Sequence, residues 1–409
     1  MRHMLFDAFL RCLNIFIPKI KHSVFLNLGL FPEKNCEDLL NGTGSNGLTF
    51  INELIRRDFK EPVVLYIEYC FDDRLDAYKE IAKTALEHNI EIRFLKGNPV
   101  SKNLLSRLGR TLNKYCHLFR TKVWIVSTGD EHLHGKLKCQ TIVNMNYYIS
   151  CKNDFLPGHH YRWQFLDTTL TTSLLASTTM TAQLGVKYDS CIELGFPRND
   201  TLFQKHNKEN IYSWLREELG YTPKKILVYA PTYRDYEKNA DSPESRFLFG
   251  YPTEFLGEYL KKNQYCLVCK LHSLATESIL KYPAGVIDFK YCFDFSFYDL
   301  MAVSDCVITD YSSLGYDFLL LNKPLLYNLY DYDKYVADRG LSYEPYEDFC
   351  PGRIVTNTAQ LQSALEDLAK GVDGYEEKRQ RLMRLFHKYP DGNSANRCVA
   401  YFCERFDLK

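Results

Sequence analysis

The chain holds 409 residues, 45% of them hydrophobic and 25% charged, with 51 basic side chains against 51 acidic ones. That length allows two to three domains with full cores, and the balanced charge excludes a global field that recruits nucleic acid, so any anion must be bound locally. The 14 cysteines are scattered through apolar runs, behind an N-terminus with no continuous apolar core and small-residue cleavage site. This points to reduced thiols in a cytoplasm and not to a disulfide framework.

Residues 1–20 come first. The run from Met4 to Lys21 is aromatic, aliphatic and basic, as in a helix lying on a membrane interface or one packed on the body of the protein, and both readings stand. No apolar run approaches the roughly 20 residues that span a bilayer. A candidate first strand, His22–Gly29, leads into the loop Asn41–Gly47, whose glycines lack the Gly-x-Gly-x-x-Gly spacing of a dinucleotide fingerprint. The amphipathic run Phe50–Arg57 follows. Strands are expected over Val63–Ile67 and Ile90–Leu95 around a helix over Asp76–His88, and another over Val123–Ser127 after the basic helix Ser101–Arg120. Such alternation gives a parallel sheet covered on both faces.

A helix over Asn210–Leu219 and the turn Tyr221–Lys225 mark the passage to a second α/β series. Its strands are expected at Ile226–Ala230, Cys266–Leu271, Val286–Phe289, Cys306–Thr309, Pro324–Asn328 and Arg353–Thr356, with helices between them and two more at the end. The domains read as 21–205 and 206–409, with the last helix able to cross back. Cys266 and Cys269 form a Cys-x-x-Cys, but residues three apart on a strand face opposite sides, so the pair reads as packed core thiols and not as a chelate. The expected fold is therefore α/β, two doubly wound sheets in tandem with the ligand at the strand C-termini in an interdomain cleft.

The most telling of those strand ends is Asp305–Phe318, where a short apolar strand runs into a hydroxyl-rich helix start. Ser312 or Ser313 is expected to cap a helix from Leu314, and the free N–H groups there, with the helix dipole, favour a phosphate; the plainer reading is an ordinary helix cap. Around it, Arg234 and Lys270 offer cations for a diphosphate, and His272 a hydrogen bond or proton for a leaving phosphate. Each has a structural alternative: His272 as a satisfied histidine at a strand end, Arg234 paired with Asp235, Lys270 as a solvated charge.

The ordered motifs Leu194–Asp200, Ile226–Asp235, Lys270-Leu-His272, Ser304–Ser313 with Tyr316-Asp-Phe318, Lys323-Pro324, Tyr330-Asp331, Arg339-Gly340, Pro351-Gly352 and Asp391-Gly392 together resemble the CDP-glycerol glycerophosphotransferases. These are the primases and polymerases of teichoic acids and related glycerol-phosphate capsules. The resemblance implies a GT-B-type fold of two Rossmann-like domains, with CDP-glycerol held by the C-terminal one. It implies transfer of glycerol 3-phosphate to a hydroxyl of a lipid-linked or polymeric glycan acceptor, with release of CMP, by a peripheral protein on the inner face of the plasma membrane. Carried over by motif, His272 and Asp310 are catalytic, and Thr232, Arg234, Lys270, Thr309, Ser312, Ser313, Asp317 and Asp331 bind the donor. No metal ion and no cofactor beyond the donor is implied.

The first half departs from the family pattern. A Trp-His-Gly after an N-domain strand, its histidine a candidate general base, is absent from the corresponding Gln140–Tyr148. His134-Gly135 lies just before that strand, so His134 joins Asp130, His132 and His159-His160 as acceptor-side candidates. Two rivals remain beside the main reading: a GT-B enzyme with another nucleotide donor, CDP-ribitol or a nucleotide sugar, and a non-catalytic nucleotide-binding relative.

Overall fold

A computed structural model describes residues 2–27, 46–69, 82–96, 104–126, 134–146, 148–153, 165–204, 208–232, 234, 247–271, 282–289 and 295–408. His272, Asp235, Asp130, His132 and the pair His159-His160 lie outside these residues. Backbone contacts divide the chain into two units: Met1–Tyr147 with Phe155–Asp200 and Asn393–Lys409, and Tyr148–Asp154 with Thr201–Gly392.

The first unit is built on seven strands: β1 (Ser23–Asn27), β2 (Val63–Tyr69), β3 (Ile90–Lys96), β4 (Val123–Val126), β5 (Thr141–Asn144), β6 (Thr168–Thr171) and β7 (Cys191–Glu193). Their order is β3-β2-β1-β4-β5-β6-β7, and every neighbouring pair is parallel. Because successive side chains alternate across a strand, Val24, Leu26, Leu65 and Ile125 face one core, which also takes Phe50, Val399 and Phe402. Phe25, Tyr66, Trp124 and Ile142 face the other, with Leu10, Leu118 and Met180. Each fully buried side chain of this kind contributes about 1.5–3 kcal/mol.

The last helix, Ser394–Arg405, belongs to this first unit. Its start is capped from a distance: the Asp200 carboxylate accepts from the N–H groups of Ser394 (2.8 Å) and Ala395 (2.7 Å). Burial pushes the Asp200 pKa up against the pull of those same bonds. Gly195 sits at φ +84°, and a Cβ there would lie 2.4 Å from the Ser394 hydroxyl, so the motif Leu194–Asp200 is the seat of this helix. That is an architectural role.

The second unit carries β8 (Lys225–Tyr229), β9 (Tyr265–Cys269), β10 (Val286–Asp288), β11 (Cys306–Thr309), β12 (Leu325–Asn328) and β13 (Arg353–Val355). The order β10-β9-β8-β11-β12-β13 is parallel throughout. Numbered within the unit it runs 3-2-1-4-5-6, the dinucleotide-fold order, in which ligands collect where the order reverses. Here that point lies between β8 and β11. Cys269 packs into the core with Leu227, Ile308 and Leu365, and Cys266, equally buried, points to the opposite face, as the strand period requires. Burial pushes both thiols well up.

Residues 148–153 lie along the second unit as a strap. Lys152 bridges Leu341 in antiparallel fashion, Ser342 N–H donates to Cys151 O (3.1 Å) and Asn153 N–H to Gly340 O (3.1 Å). The Cys151 thiol donates to Tyr311 O at 3.2 Å. The strap thus touches the junction that follows β11.

Candidate functional site

The chain leaving β8 carries Thr232 and Arg234, the chain leaving β9 carries Lys270, β11 delivers Thr309–Ser313, and β12 leads to Asp331. All lie at the C-terminal edge of one sheet, and the structure separates them into a buried set and a half-exposed set.

Arg234 is the centre of the buried set, only 4% exposed. Its Nε and Nη2 donate to the two oxygens of Asp331 at 2.9 and 3.1 Å. Its Nη1 donates to Asp310 and to the Thr232 carbonyl. Asp310, 1% exposed, also accepts from the Thr232 N–H at 2.8 and 3.1 Å. Burial alone lowers the pKa of a guanidinium; Asp310, then Asp331, outweigh that effect and hold Arg234 well above its ordinary range. The rings of Tyr311, Tyr335 and Tyr330 stand 5.2, 5.4 and 5.6 Å from its guanidinium carbon, and Tyr311 stacks on Tyr335 at 3.7 Å. The Tyr311 hydroxyl donates to Asp331 at 3.1 Å.

Several of the expected site residues have partners inside the unit. Asp310, expected to be catalytic, has its carboxylate engaged by Thr232 and Arg234 inside the unit. Arg234 and Asp331, expected on the donor, are bound to each other. The Thr309 hydroxyl donates to Ala230 O at 2.8 Å, and the Asp317 carboxylate accepts from Tyr298 at 2.7 Å with 1% of the residue exposed. A strand end marks where a side chain begins, and the direction it takes depends on partners that are remote in sequence. Tyr311 and Tyr330 stand in the sequence motifs with no expected role and Tyr335 outside them, although 30 tyrosines in 409 residues are a hint of packed aromatic clusters.

The half-exposed set is Thr232, Lys270, Ser312 and Ser313. The Thr232 Oγ1 is itself buried and has no partner among the described residues. Ser313 makes no side-chain cap bond, and Ser312 accepts from Leu314 N–H only at a long 3.4 Å. The helix they precede is short, Leu314–Phe318, continued by a tight turn over Leu319–Leu321. The expected cap and strong dipole are therefore replaced by a single helical turn preceded by two half-exposed serines. The Lys270 N–H donates to Tyr229 O at 2.9 Å, and its ammonium stands 5.6 Å from the Phe289 ring centre.

The family model described as CDP-Glycerol:Poly(glycerophosphate) glycerophosphotransferase matches residues 117–404 of this chain. The chain belongs to that family. A teichoic acid glycerol-phosphate transferase of Staphylococcus aureus (strain NCTC 8325 / PS 47) is 32% identical over 219 residues, 53% of this chain and 55% of that one. The teichoic acid ribitol-phosphate polymerase TarL of the same strain is 31% identical over 224 residues, 53% of this chain and 37% of its own. The chain thus spans about half the length of the first relative and less of the second. The solved wall teichoic acid polymerase TagF superposes with a TM-score of 0.72 at 20% identity, covering 99% of this chain and 97% of that one. The fold is of the GT-B type, with two Rossmann-like sheets in tandem.

In the first unit, β5 and the next residues, 145–153, carry no histidine, and the pair His159-His160 that follows lies outside the described residues. The structure places His134 away from strand C-termini. Gly135 N–H donates to Asp7 (2.8 Å) and Gly135 O accepts from Asn14 (2.6 Å), both on the first helix, Arg2–Ile15. Asn14 also donates to Gln140 at 2.7 Å, and Gln140 to Thr121 O at 2.7 Å, just ahead of β5 and β4. His134 therefore sits by the N-terminal edge of the sheet, its Nδ1 3.8 Å from Asp7. The other motifs of the family are largely structural. The Lys323 ammonium donates to Ala302 O and Ser304 O, both at 2.7 Å, and a Cβ on Gly352 would fall 2.1 Å from Leu325 O.

Proposed function

We propose that this protein transfers glycerol 3-phosphate from CDP-glycerol to a hydroxyl of a lipid-linked or polymeric cell-surface glycan, releasing CMP. The observation that carries the reading is the half-exposed set Thr232, Lys270, Ser312 and Ser313 at the switch point of the second sheet, in a chain of this family. The acceptor oxygen forms a bond to the phosphorus that carries glycerol, the bond from that phosphorus to the bridging oxygen breaks, and CMP leaves with the electron pair. Such chemistry depends on positioning and charge stabilisation. The rim hydroxyls donate to the diphosphate, Lys270 offsets its charge, and His272, two residues beyond Lys270, is the proposed proton donor to the leaving CMP. The acceptor's proton goes to a base on the protein or on the acceptor itself.

A CDP-ribitol donor is the second reading, favoured by the similarity to a ribitol-phosphate polymerase. Incubation with CDP-glycerol, CDP-ribitol and UDP-sugars, followed by assay of CMP and UDP, separates the readings. CMP from CDP-glycerol on a lipid-linked acceptor, with one or more glycerol-phosphate units added by mass spectrometry, is the expected result. Binding of CDP-glycerol with no CMP from any plausible acceptor points to a non-catalytic relative.

We further propose that the protein sits on the inner face of the plasma membrane through its first helix. Leu10 and Asn14 are buried, whereas Phe9, Leu13 and Phe16 are 59%, 41% and 83% exposed, an outward apolar stripe at helical spacing. None of the described helices is long and apolar enough to cross a membrane. Vesicle sedimentation of Phe9→Ser/Leu13→Ser/Phe16→Ser tests the contact; a variant that still sediments fully removes the helix as the anchor.

A further inference from the structure

We propose that Arg234 is a positioning residue that fixes the donor loops through Asp310 and Asp331 and never touches the donor phosphates. This rests on the CDP-alditol reading above. A guanidinium has five N–H donors in a fixed fork, and four are spent inside the protein: Nε and one on Nη2 on Asp331, and two on Nη1 on Asp310 and Thr232 O. Three tyrosine rings close around it. One of them, Tyr330, lies so close to Gly250 that a Cβ there would come within 2.3 Å of the ring. The glycine, at φ +81°, lets the chain pass over the cage.

Charge gives a second argument. One guanidinium between two carboxylates carries a formal net charge of minus one, so the group as a whole offers no attraction to a diphosphate. The cation for the phosphates has to be elsewhere, and among the described residues of this edge Lys270 is half-exposed.

What the group does is tie three loops together. Arg234 follows β8, Asp310 follows β11 and Asp331 follows β12. The backbone of the middle loop is pinned twice more, by the Tyr346 hydroxyl on Asp310 O (2.9 Å) and the Cys151 thiol on Tyr311 O (3.2 Å). Ser312 and Ser313 are the next residues, so their hydroxyls inherit the position this brace sets. A displacement of about 1 Å in such groups costs up to about a hundredfold in rate.

The test is a double-mutant cycle on Arg234→Met and Asp331→Asn, read by urea unfolding and by kcat and KM for CDP-glycerol. Each single variant is expected to lose about tenfold or more in kcat with KM changed by less than about threefold, and the double to be no worse than the worse single, because the two act as one unit. Arg234→Lys, which keeps the charge without the fork, is expected to lose as much kcat as Arg234→Met, and it serves in the cycle if the methionine variant does not fold. A large rise in KM for Arg234→Met with Asp331→Asn near wild type overturns the proposal, as does near-full kcat in Arg234→Lys. If the wild-type protein releases no CMP from CDP-glycerol or CDP-ribitol, it is the donor reading that fails. The unfolding cycle still decides the brace, and additive midpoint shifts overturn it.

Discussion

The two sheets share a strand order and differ in what stands at their C-terminal ends. In the second, among the described residues, a buried Arg–Asp–Asp brace stands beside half-exposed serines, Thr232 and Lys270. In the first, β5 runs into Asn144 and Asn146 and β6 into Thr171, Thr172 and Ser173, all buried and all neutral. There Asn46 does the tying, with its amide on Asn146 O and its carbonyl accepting from Arg198 N–H at 3.1 Å. Equal topology makes both edges available to ligands. Among the described residues, the charged and half-exposed groups stand at the second edge, while the neutral amides and hydroxyls after β5 and β6 suit a polyhydroxyl partner better than a phosphate.

The comparison breaks most visibly at Asp310. Asp310→Ala leaves the Thr232 N–H without its acceptor and Arg234 with one carboxylate, and the expected loss is about 3–5 kcal/mol of unfolding free energy, measured with urea, together with all CMP release. A loss below about 1 kcal/mol would take the residue out of any brace. The rim should behave in the opposite way. Ser312→Ala/Ser313→Ala is expected to lower CMP release by about 10- to 100-fold while the unfolding free energy stays within about 0.5 kcal/mol of wild type. If stability and turnover fall together there, brace and rim are not separate parts.

Why one half was readable and the other less so follows from how each strand is covered. The inner strands of the second unit, β8, β9, β11 and β12, are almost wholly buried and parallel, so runs such as Leu227–Tyr229 and Cys306–Ile308 are continuously apolar, and their C-terminal edge could be listed from sequence. In the first unit, β6 is Thr-Thr-Leu-Thr and the next helix, Leu174–Leu184, is rich in Ser and Thr, a composition that reads as loop. Its start is capped by Ser173, which accepts from Ala176 N–H at 3.2 Å, and Thr178 and Thr179 satisfy their hydroxyls within the helix on the carbonyls of Leu174 and Leu175 at 2.9 and 2.8 Å. Within the site, the sequence located Arg234, Asp310 and Asp331 on one edge and gave no sign that they meet, since 76 and 97 residues separate the partners.

Two smaller effects sharpen the contrast from the side of the first unit. Asn14→Ala strips the Gly135 carbonyl and Gln140 of a buried donor, with about 1–3 kcal/mol of stability lost and turnover on saturating CDP-glycerol unchanged once the protein is folded. His134→Ala should do less. Its imidazole is 16% exposed and 3.8 Å from an Asp7 carboxylate, a weak contact worth about 0–1 kcal/mol, and its turn is held mainly by the Gly135 backbone. The expected outcome is a shift within about 0.5 kcal/mol and an unaltered pH–rate profile. A base that takes the acceptor's proton in the rate-limiting step would instead lose about 100-fold or more and flatten the acid limb of that profile. Such a loss at unchanged stability would return His134 to the reaction and require the strand N-terminal edge of the first sheet to be part of the site. Retained activity passes the question to Asp130, His132 and His159-His160, which lie outside the described residues, and to the neutral edge at Asn144 and Thr172, whose Nδ2 and Oγ1 lack partners among the described residues.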